Sequence, residues 1–256
     1  MADNIQKDIE KVMGEIHSFD LLKEQGCTSE VRRLVTNKGS YLLKSAYDER
    51  YRTWLKAEAQ VLEKLTHERE IPVPAYYGFI EKTDSSHLIM SFEEGITLTA
   101  ALKGGLSKSD KKALVRSFGQ FLNQFHEMRP IEALKRKNDW LEEQLLKAQS
   151  YVKNGQTEGS LELLNRLKSQ KPLPVQPTMI HGDCTSDNVL VIDGKVKLFI
   201  DVSGMTVGDP RYDESLAISH FVDNPEYLHA FYEGYTRYKV SKEEFLYFNE
   251  GLYEFF

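Results

Sequence analysis

Three residues of one stretch, Asp183, Asn188 and Asp201, carry the compact oxygen donors that a hard divalent cation with a bound triphosphate requires. They lie in MIHGDCTSDNVLVIDGKVKLFIDVSGMTVGDPRYD, where extended runs at 188–192 and 196–200 flank Asp193-Gly194. Asp-Gly between apolar runs is a strong tight-turn signal, so a hairpin is predicted. It sets Asn188 at the start of one strand and Asp201 at the end of the antiparallel neighbour. Asp183, five residues before Asn188, could accept a hydrogen bond from a hydroxyl and align that oxygen on a terminal phosphorus. Phosphoryl transfer gains mainly from such positioning and from charge stabilisation. Scattered turn residues are the plainer reading of any single Asp or Asn here, and it is the reading that fits Asp193. His181 could be a general base, but an imidazole anchoring the loop backbone is favoured.

A second set lies far upstream. Lys44 closes the run YLLKS, and Glu58 follows Trp54 by four residues and precedes Val61 by three, which places it beside the packed face of a helix. A lysine held by that glutamate could span the alpha and beta phosphates of a nucleotide. Gly26-Cys27-Thr28-Ser29-Glu30 could wrap phosphate oxygens, although its single glycine makes neither a P-loop nor GxGxxG. Backbone groups of HLIMSFEEG around Ser91, Phe92 and Glu93 could read an adenine edge, while Met90 either lines the entrance or packs in the core.

The elements that must position these groups are legible in outline. An amphipathic helix is expected over 6–22, then strands at 30–35 and 40–45 joined by Asn37-Lys38-Gly39. A helix over 52–66 follows from Leu55, Ala59, Leu62 and Leu65, and Ile71-Pro72-Val73-Pro74 ends helical propensity. Strands at 76–82 and 87–92 lead to a composition change after Glu94. Leu114, Phe118, Phe121, Phe125 and Met128 then mark a long core helix. Residues 131–169 are helix-prone with a break near Asn154-Gly155, and 213–256 are helical and aromatic. The expectation is a β-rich lobe over 1–94 and a larger, mainly helical lobe over 95–256, with nucleotide held in a cleft between them.

The 256 residues, 41% hydrophobic and 28% charged, are those of an ordinary globular protein. No apolar run approaches the roughly 20 residues of a membrane span, and the start has no leader pattern, so a cytoplasmic protein without a membrane partner is expected. Cys27 and Cys184 lack CxxC spacing and are expected as free thiols, whose oxidation in either predicted loop would block activity. Net charge is -6, yet 201–256 holds 11 acidic and 4 basic side chains. Such a tail repels nucleic acid and attracts a small polycation, unless it is only a solvated surface.

Taken together, HGDCTSDN at 181–188, FIDVS at 199–203 and GDPRYD at 208–213 resemble the aminoglycoside phosphotransferase family over nearly the whole chain, in layout the 3'-phosphotransferases. The resemblance implies an α+β, bilobal protein-kinase-like fold, with ATP or GTP and Mg2+ as cofactors. It implies Asp183 as the catalytic residue, Asn188 and Asp201 as metal ligands, and Lys44, Glu58 and Ser29 at the nucleotide. The ending LYEFF resembles one in which an acid and the terminal carboxylate hold ammonium groups, which carries Glu254 and Phe256 over as substrate contacts; Arg211, within GDPRYD, joins them. Tyr253 stands where many members have Asp, Leu42 where an aromatic can stack on adenine, and Val202-Ser203 where tryptophan or leucine-glycine is common. The implied function is transfer of the gamma-phosphate of ATP to a hydroxyl of a small, cationic molecule, an aminoglycoside in one reading. A metabolic alcohol such as an amino alcohol or sugar is the alternative, and a non-catalytic nucleotide-binding scaffold is the alternative of another class. A monomer or weak homodimer is expected.

Overall fold

In the computed structural model residues 2–68 and 70–256 are described, and they divide into two compact units. The first comprises 1–94 with 201–203, the second 95–200 with 204–256.

The first unit begins with α1 (Ala2–Met13), β1 (Ile16–Leu21), β2 (Glu30–Thr36) and β3 (Gly39–Ala46). The continuous helix expected over 6–22 is therefore a helix and a strand. Gly14, in the left-handed region at φ 88°, ends the helix, and 16–21 pairs antiparallel with β2. That pairing is a long-range gain that local helical spacing does not register. After α2 (Glu49–Lys64), capped by Asp48, come β4 (Tyr76–Glu81) and β5 (Ser86–Ser91), and the antiparallel sheet runs β1-β2-β3-β5-β4.

Side chains alternate along β3, so Tyr41 and Leu43 share one face while Leu42 and Lys44 share the other. Tyr41 and Leu43 pack with Ile9 and Met13 of α1 and with Leu34 and Ile89. Lys44 stands opposite Val31 of β2 and Leu88 of β5, on the middle strand of the sheet and not at an edge.

The second unit holds β6 (Ile96–Thr97), α3 (Leu98–Lys103), α4 (Lys108–Glu127), α5 (Trp140–Asn154) and α6 (Leu161–Ser169). Gly155, left-handed at φ 64°, caps α5 and makes the predicted break. Then come β7 (Thr178–Ile180), β8 (Val189–Ile192), β9 (Lys195–Phe199), β10 (Thr206–Gly208), α7 (Pro210–Ile218), α8 (Pro225–Gly234) and α9 (Lys242–Phe248). A 3-10 turn, Leu252–Phe255, follows.

The predicted hairpin is β8–β9. Asp193 at φ 49° and Gly194 at φ 73° provide the two left-handed residues of its tight turn. One layer of the core is aromatic: Phe121 and Phe125 of α4 lie 4.4 and 4.8 Å from the ring of Phe199, and Phe118 meets Phe231 of α8 at 5.7 Å. Each such ring contributes about 1.5–3 kcal/mol by leaving water. Gly119 lets α4 and α8 touch, since a Cβ there would lie 2.1 Å from the Phe231 carbonyl oxygen. A second layer joins Trp140, Leu145, Leu164, Leu167, Tyr212 and Phe248 and seats the C-terminal turn through Leu252 and Phe255. Among the described residues no helix is long and apolar enough to cross a membrane.

Candidate active site

The second unit contains HGDCTSDN, and its loop conformation is determined by hydrogen bonds to the loop backbone. His181 is wholly buried and lies 5.0 Å from the ring of Phe199. Its Nδ1 is 3.2 Å from the backbone nitrogen of Asp183. A backbone N–H can only donate, so Nδ1 accepts, Nε2 carries the proton, and Nε2 donates to the Ile200 carbonyl at 2.9 Å. Both ring nitrogens are thus engaged in bracing the loop, as the favoured sequence reading has it.

Asp213 braces the same loop from α7. Its carboxylate accepts the backbone N–H of His181 at 2.6 Å and of Gly182 at 2.9 Å, with His126 Nε2 at 3.4 Å. Gly182 stands at φ 83°, and a Cβ there would lie 2.4 Å from the Gly204 carbonyl oxygen, so the crossing of 182 and 204 requires glycine. Asp213 lies within GDPRYD, where local spacing gives it no task. A fully buried carboxylate needs donors, and only the folded loop shows where they are.

Asp183 is held by both of its carboxylate oxygens. Asn188 Nδ2 donates to Oδ2 at 2.8 Å and to the Asp183 carbonyl at 2.8 Å, and Tyr253 Oη donates to Oδ1 at 2.9 Å. Because both bonds of Asn188 use its amide nitrogen, its side-chain oxygen is the atom that can meet a cation. Burial and the adjacent Asp183 push the Tyr253 phenol well above the ordinary tyrosine range, so it remains a neutral donor. In the sequence Tyr253 is only a departure from an acid. Its bond to Asp183 spans 70 residues and has no local signal.

The first unit contains a buried charge cluster. Lys44 Nζ is 2.7 Å from Glu58 Oε2 and also bonds Asp201 Oδ1. The Lys44 side chain is 12% exposed and Glu58 6%, whereas Asp201 is 48% exposed. Burial by itself would lower the Lys44 pKa, but the Asp201 and Glu58 carboxylates outweigh it and raise the ammonium above its usual range. Burial pushes Glu58 upward and Lys44 opposes that, while the Val202 backbone N–H also bonds Glu58. The segment 201–203 is therefore tied to the first unit at two points. Asp201 itself sits at φ 57°, a left-handed conformation that costs a non-glycine residue about 1–2 kcal/mol and that concentrates at functional sites.

Other expected residues have ordinary settings. Ser29 stands one residue before β2, in a loop stapled by Gln25, whose side chain bonds the backbone of Leu22 and Val31. Met90 is 4% exposed and packs in the core. Ser91 Oγ accepts from the Ala75 N–H at 2.8 Å and donates to Glu93, and Phe92 carries the Arg33 guanidinium 4.4 Å above its ring. Glu254 is exposed, its carbonyl bonded by Thr157 Oγ1 at 3.0 Å, and the Phe256 ring lies 4.9 Å from Lys147 Nζ.

Three expectations are corrected. Arg211 is not poised for a substrate: its buried guanidinium bonds both oxygens of Asp209, Glu244 Oε1 and the Leu173 carbonyl, which clamps α7, α9 and the 170–177 connector together. The acidic excess of 201–256 is in part withdrawn from solvent or neutralised: Asp209 and Glu244 pair with Arg211, Glu226 with Lys108, and Glu233 with Arg116, and Asp213 and Glu214 are buried, while Asp223, Glu243, Glu250 and Glu254 are exposed. Cys184 is buried and its thiol is pushed well up by desolvation, so it is a poor target for oxidation, whereas Cys27 is exposed. A groove of 1060 Å³ beside α9 is lined by Leu173, Arg211, Glu244 and Tyr247 and includes neither Asp183 nor Asn188.

The profile of the phosphotransferase enzyme family (APH) matches residues 24–246. No curated protein matches the sequence. Among solved structures, an aminoglycoside-3'-phosphotransferase of type VIII superposes with a TM-score of 0.77 at 21% identity, covering 99% of this chain and 98% of that one. Aminoglycoside phosphotransferase APH(3'')-Id from Streptomyces rimosus, in complex with ADP and streptomycin, gives 0.71 at 19% identity over 96% and 95%. Spectinomycin phosphotransferase APH(9)-Ia, in complex with ADP and spectinomycin, gives 0.61 at 16% identity over 96% and 83%. At these identities the likeness is one of fold.

Proposed function

The chain belongs to the phosphotransferase enzyme family, and from that premise we propose that it transfers the gamma-phosphate of ATP to a hydroxyl of a small molecule. The observation that carries the reading is the Lys44 ammonium, buried in the first unit against Glu58 and Asp201. Burying a lysine and a glutamate carries a desolvation penalty that packing alone would avoid, and a lysine kept charged in this way suits the phosphates of a nucleotide. ADP in the streptomycin and spectinomycin enzymes of the same fold supports an adenine nucleotide.

In this reading Asp183 is the catalytic residue. Its carboxylate accepts the hydrogen bond of the substrate hydroxyl and aligns that oxygen for in-line attack, and Asn188 holds the carboxylate in place. The residues present fit Mg2+: the Asn188 amide oxygen is left available, and Asp201 presents a half-exposed carboxylate from a left-handed residue. These two would hold the ion, which when bound supplies neutralisation of phosphate charge. Lys44 supports the alpha and beta phosphates, Ser29 bonds a phosphate oxygen, and 91–93 meet the adenine.

For the acceptor, the aminoglycosides named with the similar structures make an aminoglycoside the first class to examine, with Glu254 and the carboxylate of Phe256 as contacts for its ammonium groups. A metabolic alcohol of lower positive charge is favoured by a separate observation. A phenol, Tyr253, rather than an acid stands beside Asp183, and the Lys147 ammonium lies near Phe256.

The experiment is a panel of aminoglycosides, amino alcohols and sugars incubated with the protein and gamma-labelled ATP. Transfer to at least one alcohol, reduced by orders of magnitude in Asp183→Ala with nucleotide binding retained, is the expected result. Equal turnover by Asp183→Ala and the unaltered protein would remove Asp183 from the reaction. Nucleotide binding without any hydrolysis or transfer would favour the scaffold.

A further inference from the structure

We propose that Tyr253 is an internal phosphate acceptor, taking the phosphoryl group of a nucleoside triphosphate when no small-molecule alcohol is bound. The inference rests on the phosphotransferase reading above and adds a modification site to it. A substrate hydroxyl must donate a hydrogen bond to the Asp183 carboxylate before it attacks phosphorus. Tyr253 Oη already makes that bond, at 2.9 Å to Oδ1, while Asn188 Nδ2 occupies Oδ2 at 2.8 Å. The phenol therefore stands in the place of an acceptor.

Its presentation is built into the fold. Tyr253 lies in the 3-10 turn Leu252–Phe255, whose flanking side chains Leu252 and Phe255 are 0% and 1% exposed in the core of the second unit. Gly159 leaves room for the Phe255 ring, since a Cβ there would lie 2.4 Å from it. The Tyr212 ring stands edge-on to Tyr253 at 6.5 Å. Burial and Asp183 keep the phenol protonated, and a neutral hydroxyl is the form in which any alcohol acceptor reaches this carboxylate.

The step balances without a further reactant. A bond forms between Tyr253 Oη and the gamma-phosphorus, and the bond from that phosphorus to the bridging oxygen breaks. The electron pair leaves with the nucleoside diphosphate, and the phenolic proton passes to Asp183 and then to water. The phosphotyrosine brings a charge of roughly -1.5 to -2 against a carboxylate, so it is repelled from Asp183 once formed. Self-transfer and transfer to an added alcohol therefore compete for one carboxylate.

The test incubates the full chain with gamma-labelled ATP and magnesium and locates phosphate by peptide mass spectrometry. Phosphate on Tyr253, lost at least tenfold in Tyr253→Phe and in Asp183→Asn, and formed at a per-chain rate independent of protein concentration, is the expected result. Calorimetry with MgATP runs in parallel. Nucleotide binding with Tyr253 unmodified overturns the proposal, and if added alcohols are phosphorylated in the same sample the phosphotransferase reading stands without it. Failure of MgATP to bind sinks that reading and the proposal together. A rate per chain that rises with protein concentration, or undiminished label in Tyr253→Phe, also overturns the internal acceptor.

Discussion

The Asp213 carboxylate on α7 accepts the backbone N–H groups of His181 and Gly182, at 2.6 and 2.9 Å, and so sets the path of the chain into Asp183. Asp213→Ala would leave the buried His181 N–H and the part-buried Gly182 N–H without partners, at about 1–3 kcal/mol each and less for the second. We expect urea unfolding to show a loss of about 3 kcal/mol, and turnover to fall further than stability explains. A loss below 1 kcal/mol would mean the loop holds itself.

Lys44 and Glu58 are a buried pair, and removing one partner strands the other. Lys44→Ala should destabilise the chain by about 3–5 kcal/mol, and Lys44→Met combined with Glu58→Gln by much less. A double-mutant cycle with no coupling energy would show that the two charges do not support one another.

Glu214 is wholly buried, accepting from the Tyr232 hydroxyl and the Val240 N–H. Burial raises its carboxyl from the ordinary 4.5 to about 7. The unfolded chain loses this proton near pH 4.5 and the folded chain near 7, so the stability it contributes is complete below 4.5 and lost as pH rises through 7. Across that window the loss is about 3 kcal/mol. Denaturation midpoints of Glu214→Gln should lack this slope; parallel curves for the two proteins would refute the assignment.

Cys27 is exposed and Cys184 buried with its thiol pushed up. One thiol per native chain should react rapidly with an alkylating reagent, and both after unfolding in urea. Equal native rates would contradict the burial of Cys184. Cys27→Ser should abolish any loss of activity caused by thiol reagents.

Where chemistry and local geometry coincide, the sequence is readable. The β8–β9 hairpin follows from Asp193-Gly194 because the turn needs two residues that tolerate positive φ, and the break after α5 follows from Gly155 for the same reason. β1 was not readable, since Ile16–Leu21 becomes a strand only by pairing with β2. The short strands β6, β7 and β10, at two or three residues each, carry too little pattern to stand apart from loops.

From its residues alone this chain determines its family, an α+β composition, and the set of oxygen and ammonium groups from which the candidate site is drawn, because motif spacing and side-chain chemistry are local properties. Tertiary structure decided which of those groups meet. It brought Asp201 to Lys44, set Tyr253 on Asp183, withdrew Arg211 into a clamp, and drew part of the acidic tail into ion pairs. Charge neutralisation and donor matching depend on distances between residues far apart in the chain, and those distances exist only once the core has closed around them.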